Sequence, residues 1–368
     1  MSYDVDGSQA ALPRPVIVLT GMAAATVTIA GMKLSSGILG PVMLALVMTI
    51  AAHPMRGWLT RRHFPGWAAS LTMIATVYLV LVVFALAVLA SIARFAALLP
   101  AYKTQFAEHV DKAISWLTSL GITEDQLRNM AQQLDVNNLA ALAGEVLGDV
   151  TGLMSLFVFV VSLLLFFAID AAWFPYRVDA TPPSRRGLAT AVSTFAAATR
   201  SYLLVSTAFG LIVAVLDTGA LWLLGIPAPL VWGLLAFMTN YIPNVGFVIG
   251  VIPPMILGLL EGGFPLMLAV LAVYTVLNVV IQSIIQPRVV GGAVGLSSSL
   301  TFLSLIFWAW VLGALGALLA IPLSLLVKAL LVDSDPGARW ITPLIDGSAG
   351  ATADEPALDP AGLEQTYR

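Results

Sequence analysis

The stretch that decides the fold is NYIPNVG, residues 240–246, set inside an apolar run from Ala228 to Leu260. Asn240, Pro243, Asn244 and Gly246 have no use in a plain membrane span. Inside a bilayer each freed backbone N–H or C=O is costly, so broken backbone persists only where protein or water covers it. The interruption recurs in QPRVVGG at 286–292 and in GALGALLAIP at 313–322. Paired Pro/Gly-interrupted segments in a polytopic membrane protein point to a transport site. The chain therefore reads as a transporter, with helix breaks or hinges assigned to Pro253, Pro287, Gly291, Gly292, Gly313, Gly316 and Pro322.

Composition agrees with a lipid-facing surface. Hydrophobic residues make up 59% of the chain and charged residues 10%, with a mean hydropathy of +0.95. A soluble domain carries about 25% charged residues. The net charge of −3 gives no footing for nucleic acid, and the lack of cysteine excludes disulfide and thiol chemistry. The start of the chain holds Asp4 and Asp6 with only Arg14 as a cation before the first apolar run. That is unlike the basic start of a cleaved signal peptide, so the first segment is expected to stay as an anchor.

The expected fold class is all-α, a polytopic transmembrane helix bundle of about eight apolar segments. They lie at 15–32, 35–52, 67–99, 151–169, 202–224, 228–260, 264–285 and 299–332. Residues 1–14 form an N-terminus and 15–99 the N-terminal transmembrane segments. Residues 100–150 are polar, yet Tyr102, Phe106, Val110, Ile114 and Leu117 recur at three or four, the spacing of an amphipathic helix. This region is expected to be helical and extracytoplasmic. Residues 151–332 form a C-terminal transport unit, and 333–368 read as a disordered tail. His53, His63 and His109 are all expected in loops.

Charge sets an expected orientation. The segments 53–66 and 171–200 are Arg-rich, and 100–150 is acidic, so positive-inside counting puts the first two and both termini in the cytoplasm. The runs 228–260 and 299–332 span 33 and 34 residues, well beyond the roughly 20 a span needs. Each is interrupted near its middle. Folding each into a re-entrant or broken hairpin is preferred to eight plain spans, and it places Arg288 on the cytoplasmic side.

From Asp170 to Ile345 the chain resembles the autoinducer-2 exporter family of bacterial inner-membrane permeases. The resemblance rests on LLGIP (223–227), WGLLAFMTNYIPNVG (232–246), IQPRVVGGAVGLS (285–297) and FWAWVLGALGALLAIPL (307–323). Two positions depart from the family pattern: Ser298 and Ala314 stand where proline is usual. The resemblance implies a homo-oligomeric permease, a pentamer in size, in the bacterial inner membrane. It also implies movement of a small polar solute or coupling to Na⁺ or H⁺.

Three groups of residues are candidates for the pathway. Asp217 lies within the fifth segment, where a carboxylate costs a few kcal/mol and is by default a functional hypothesis. It is the candidate proton or cation relay; the competing reading is a hydrated or structurally paired carboxylate near the outer interface. Asn240, Tyr241, Pro243, Asn244 and Gly246 offer amide, phenol and freed backbone groups to a midplane cavity, or else form a purely structural hairpin tip. Asn278, Gln282 and Gln286 fall at i, i+4 and i+8, one polar stripe on an apolar helix. That stripe suits a pathway lining or hydrogen-bonding glue between helices.

No HExxH or Walker-type GxxxxGK[ST] occurs, so no enzyme activity, metal or cofactor is expected. The leading function is a secondary permease exporting a small polar metabolite or signalling molecule. A Na⁺/H⁺ antiporter and a non-transporting membrane scaffold are the alternatives.

Overall fold

The computed structural model describes residues 13–98, 102–119, 123, 148, 150–182, 186–243, 245–286, 288 and 296–345. Asn244, Pro287, Gly291, Gly292 and most of 120–149 lie outside the described residues.

The long apolar runs become long helices because a helix satisfies all its backbone groups internally. The first is α1 (Arg14–Leu34), joined through Ser35 alone to α2 (Ser36–Arg61). Ser35 donates its hydroxyl to the Gly31 carbonyl at 2.7 Å, closing this tight connection. There follow α3 (Gly66–Leu98), α4 (Lys103–Ser119), α5 (Val150–Asp179) and α6 (Arg186–Leu223). A turn with Gly225 at φ 73° leads to α7 (Pro229–Thr239). Next is α8 (Gly246–Asn278), continued by a π-helical turn over Val279–Ile285. The chain closes with α9 (Ser298–Leu318), α10 (Ala320–Lys328), a second π turn at Ala329–Asp333, and short turns reaching Ile345.

Six helices among the described residues are long and apolar enough to cross a membrane. Among the described residues every regular element is helical, and the protein is a multi-pass helical membrane bundle. Two of those six are not straight. In α8 the backbone reverses at Gly263 (φ 70°, ψ −163°). A methyl group at Gly258 would stand 3.3 Å from the Leu266 carbonyl and the Met267 Cα, so the two arms fold back on each other. In α9 the same reversal falls at Gly313 (φ 67°, ψ −145°). A third hairpin has residues 240–243 and Val245 at its tip, with α7 as one arm and the first half of α8 as the other. The 11 residues of α7 extend about 16 Å at 1.5 Å per residue. That is about half of the roughly 30 Å hydrocarbon thickness.

Several boundaries differ from the sequence expectation. The fourth segment does not end at Asp170, because α5 runs on to Asp179. The fifth begins at Arg186, so residues 171–179 and 186–200 of the Arg-rich segment are helical. Amphipathic helix ends with long basic side chains keep their cations at the water boundary while the helix continues. His53 lies in α2, half-buried, instead of in a loop. Pro253 does not break α8: the helix passes through it, and the reversal comes ten residues later at Gly263. Pro322 lies in the first turn of α10, where a missing N–H costs little; the interruption precedes it at Leu319. The start of the expected tail is helical, and Ser297 N donates to the Ile345 carbonyl at 3.0 Å.

Packing divides the bundle. One core joins α2, α3 and α5 to the α9–α10 hairpin through Leu44, Val77, Leu164, Trp308 and Leu323. A second joins the far end of α6 to α7 and α8 through Leu221, Trp232, Leu257, Val270 and Tyr274. The start of α6 packs on α10 through Phe195, Tyr202, Ile321 and Leu325. Outward faces carry exposed Val27, Leu79, Val215, Leu230 and Leu303, an arrangement that lipid tolerates as well as it does a core.

Candidate functional site

One face of α6 explains where the site lies. Phe195, Thr199, Tyr202, Ser206, Gly210, Val213 and Asp217 are all buried and recur at three or four, so they point the same way. The tip of the α7–α8 hairpin docks onto that face near the middle of α6. Asn240 Nδ2 donates to the Ser206 carbonyl at 2.9 Å. Gly210 makes room for it: a methyl there would stand 2.7 Å from Asn240 Nδ2. Tyr202 donates its hydroxyl to the Tyr241 carbonyl at 2.9 Å. The Tyr241 hydroxyl pairs with Thr207 Oγ1 at 2.8 Å, and its ring meets Phe84 and Phe237 edge-on.

The hairpin can close this tightly because of Gly246. A methyl group there would stand 1.9 Å from the Thr239 carbonyl oxygen, an overlap no side chain avoids. Ile242 N and Gly246 N take up the Thr239 and Ile242 carbonyls at 2.8 and 2.9 Å. The freed backbone of the break is thus largely satisfied within the tip.

From the other side comes the second arm of α8 with its π turn. Gln282 Nε2 donates to Asn240 Oδ1 at 2.6 Å, so the Asn240 amide bridges two helices with both of its ends. Beside this bridge lies a cavity of about 170 Å³, lined by Asn240, Phe247, Thr275, Asn278, Gln282 and Ser283. A narrower void shares Asn240, Phe247, Asn278 and Gln282 with it and is lined also by Asp217 and Tyr274. At about 10 Å³ it has room for roughly one water-sized particle. Asp217 is only 1% exposed, and its Oδ1 has no hydrogen-bond partner; neither has the Tyr274 hydroxyl. Buried polar groups are normally paired. Here two unpartnered buried oxygens belong to residues that line one small void.

Of the residues singled out from sequence, Asp217, Asn240, Asn278 and Gln282 come together here. Tyr241, Pro243 and Gly246 build the tip, and the Tyr241 ring faces α3 and α6 instead of the cavity. Gln286 lines neither void. Tyr274, Thr239, Ser206 and Gly210 were not among the candidates. Tyr274 had a legible signal, since it extends the 278–282 stripe upstream by one turn. Ser206 contributes a backbone carbonyl, which no sequence pattern announces.

The profile of the AI-2E family transporter covers residues 22–334 of the chain. The chain belongs to the AI-2E transporter family. It is similar to the AI-2 transport protein TqsA of Escherichia coli (strain K12), at 30% identity over 91% of this chain and 98% of the relative. It is also similar to the protein named "Putative transport protein YhhT" of the same organism, at 28% identity over 88% of this chain and 92% of the relative. As a member of this family the protein is a membrane permease, and the hairpin tip, α6 and the π turn lie within the matched region. The antiport alternative finds no support among these relatives, whose names record transport alone.

Proposed function

We propose that this AI-2E permease exports a small polar solute across the bacterial inner membrane through the cavity between α6, α7 and α8. A solute of the kind named for the relative TqsA is the first to try. The observation that carries the reading is the Asn240 amide, held by Ser206 and Gln282 and lining both a cavity and a small void that Asp217, its Oδ1 unpartnered, also lines. Amides that already have one partner each keep a further donor or acceptor site for hydroxyl-bearing solutes. Asp217 serves as the proton or cation relay beside that route.

The orientation belongs to the same proposal. The basic helix ends with Arg56, Arg62, Arg177 and Arg186 face the cytoplasm, as do both termini. The N-terminal hairpin of α1 and α2 supplies the wall of a homo-oligomer, and the Pro/Gly-broken C-terminal unit moves against it.

The test is efflux. Extracellular metabolites of cells making the wild-type chain are compared with those of cells making Asn240→Ala, and the solute that differs is then followed in proteoliposomes. Asn240→Ala is expected to lower its flux about tenfold, equivalent to about 1.4 kcal/mol. Equal flux for both proteins removes this cavity from the route. No flux of any solute with the wild type would leave a scaffold.

A further inference from the structure

A second and larger cavity lies at the basic end of the bundle, about 550 Å³ in volume, between α2, α5, α6 and α10. That size falls within the roughly 300–1,000 Å³ of small-molecule sites. Its walls are largely apolar: Leu46 and Ile50 of α2, Phe167 and Phe174 of α5, Leu326 of α10. Four ionisable side chains edge it, His53, Asp170, Arg177 and Arg200.

Their pairing is uneven. Arg177 Nη2 and Asp170 Oδ1 meet at 3.3 Å, both well exposed, so this carboxylate already has a cation. Arg200 is half-buried, and its Nε is wholly buried without a hydrogen-bond partner. Two guanidinium groups and an imidazole thus line the cavity with one carboxylate, and the ion pair shown for that carboxylate is the one with Arg177. A planar guanidinium fork with a buried free donor is suited to a phosphate or carboxylate oxygen. The adjoining wall offers an aliphatic chain a place out of water.

We propose that this cavity binds an anionic amphiphile, its phosphate or carboxylate head on Arg200 and its aliphatic body along Phe167, Phe174 and Leu46. A phospholipid from the surrounding leaflet and a free alkyl phosphate present the same chemistry. Arg200 stands six residues before Ser206 on α6, about 9 Å along the axis. The occupant therefore braces α6 against α2 and α5 close to where the hairpin tip docks. The cavity shares no lining residue with the Asn240 and Asp217 voids, and the inference stands apart from the transport reading.

The test uses the full chain in two arms. In one, protein in phosphatidylcholine nanodiscs receives increasing dioleoyl phosphatidylglycerol; in the other, detergent-purified protein receives dodecyl phosphate. Bound molecules are counted by native mass spectrometry. One probe molecule per chain is expected, with affinity falling at least tenfold in Arg200→Gln. Ala196→Phe keeps every charge and fills the cavity, and it is expected to weaken binding to a similar extent. Arg61→Gln, an equal charge loss at the exposed end of α2, is expected to bind as the wild type does. Retention of phosphatidylglycerol alone assigns the site to the leaflet, and retention of dodecyl phosphate alone assigns it to a free amphiphile. Equal binding by the wild type, Arg200→Gln and Ala196→Phe, or no binding of either probe, overturns the proposal.

Discussion

Two hairpins of this bundle are closed by the same device and equipped for different work. At the α7–α8 tip Gly246 lies against the Thr239 carbonyl; at the α9 reversal Gly316 lies against the Trp308 carbonyl, with the same 1.9 Å that a methyl group would leave. Around the first tip stand Asn240, Tyr241, Tyr202, Ser206 and Gln282, and voids that reach Asp217. Around the second stand Leu305, Val311, Leu312 and Leu319, with Trp308 donating to Ser324 Oγ at 3.0 Å as its polar contact. Backbone geometry alone therefore does not gather polar side chains and voids at a hairpin tip. What distinguishes the first hairpin is that its tip meets a helix face already carrying a carboxylate and a second helix carrying amides.

The comparison predicts equal fragility where the geometry is shared. Gly246→Ala and Gly316→Ala each force a methyl group into a backbone oxygen, and each is expected to cost about 3 kcal/mol or more. Thermal unfolding in detergent should show both variants losing much of their stability or failing to yield monodisperse protein. Gly313→Ala is the internal control, because open space surrounds it and only its positive φ is strained. Its expected cost is about 1–3 kcal/mol. A mild Gly246→Ala beside a severe Gly316→Ala would mean that the polar tip can relax and the apolar one cannot.

Function should then separate the two. Asn240→Ala removes both ends of the bridge to Ser206 and Gln282, and flux is expected to fall about tenfold with a stability cost of about 1–3 kcal/mol. Ser324→Ala removes the one acceptor of the Trp308 indole; about 1 kcal/mol of stability should go while flux stays at the wild-type level. Flux measured at equal reconstituted protein decides this. A loss of transport in Ser324→Ala would give the apolar hairpin a part in the route.

Asp217→Asn sharpens the contrast without touching either tip. The two side chains have the same shape, so packing is kept, while the charge that is costly to bury is removed. Stability is expected to hold or rise slightly and flux to fall or lose its pH dependence, the trade expected of a residue kept for activity. A stability loss with unchanged flux would return Asp217 to a structural role.

The fold was legible in the chain wherever an interruption was made of proline, glycine and asparagine together. NYIPNVG marked the first hairpin, and Gly313–Gly316 marked the α9 reversal. The reversal at Gly263 falls in the gap between the expected segments 228–260 and 264–285, where Glu261, Gly262 and Gly263 interrupt the apolar run. Pro253 misled, because a proline in a helix can be absorbed when neighbouring groups take up the freed carbonyl. Asp217 and Asn240 were visible because polar residues in apolar runs stand out. That Asn240 reaches the backbone of Ser206 follows from the docking of α7 on α6 at Gly210, a tertiary contact that local spacing does not encode.

The smallest effect tests the geometry most finely. Sequence spacing puts Asn278, Gln282 and Gln286 on one stripe, because steps of four residues nearly close a turn of 3.6. The chain from Val279 to Ile285 is instead wound as a π helix with i→i+5 bonds, so each turn holds more residues and the stripe is rotated out of register. Gln282 keeps its bond to Asn240, and Gln286 falls outside both voids. Gln282→Ala is therefore expected to lower flux several-fold and cost about 1 kcal/mol. Gln286→Ala should leave flux unchanged and stability within about 0.5 kcal/mol. Paired proteoliposome assays and melting curves read both. A Gln286→Ala defect equal to that of Gln282→Ala would restore the straight stripe and require an α-helical 279–285 in the working protein. A silent Gln286 beside a damaged Gln282 would instead make the π turn the feature that aims one amide of the three at the hairpin tip.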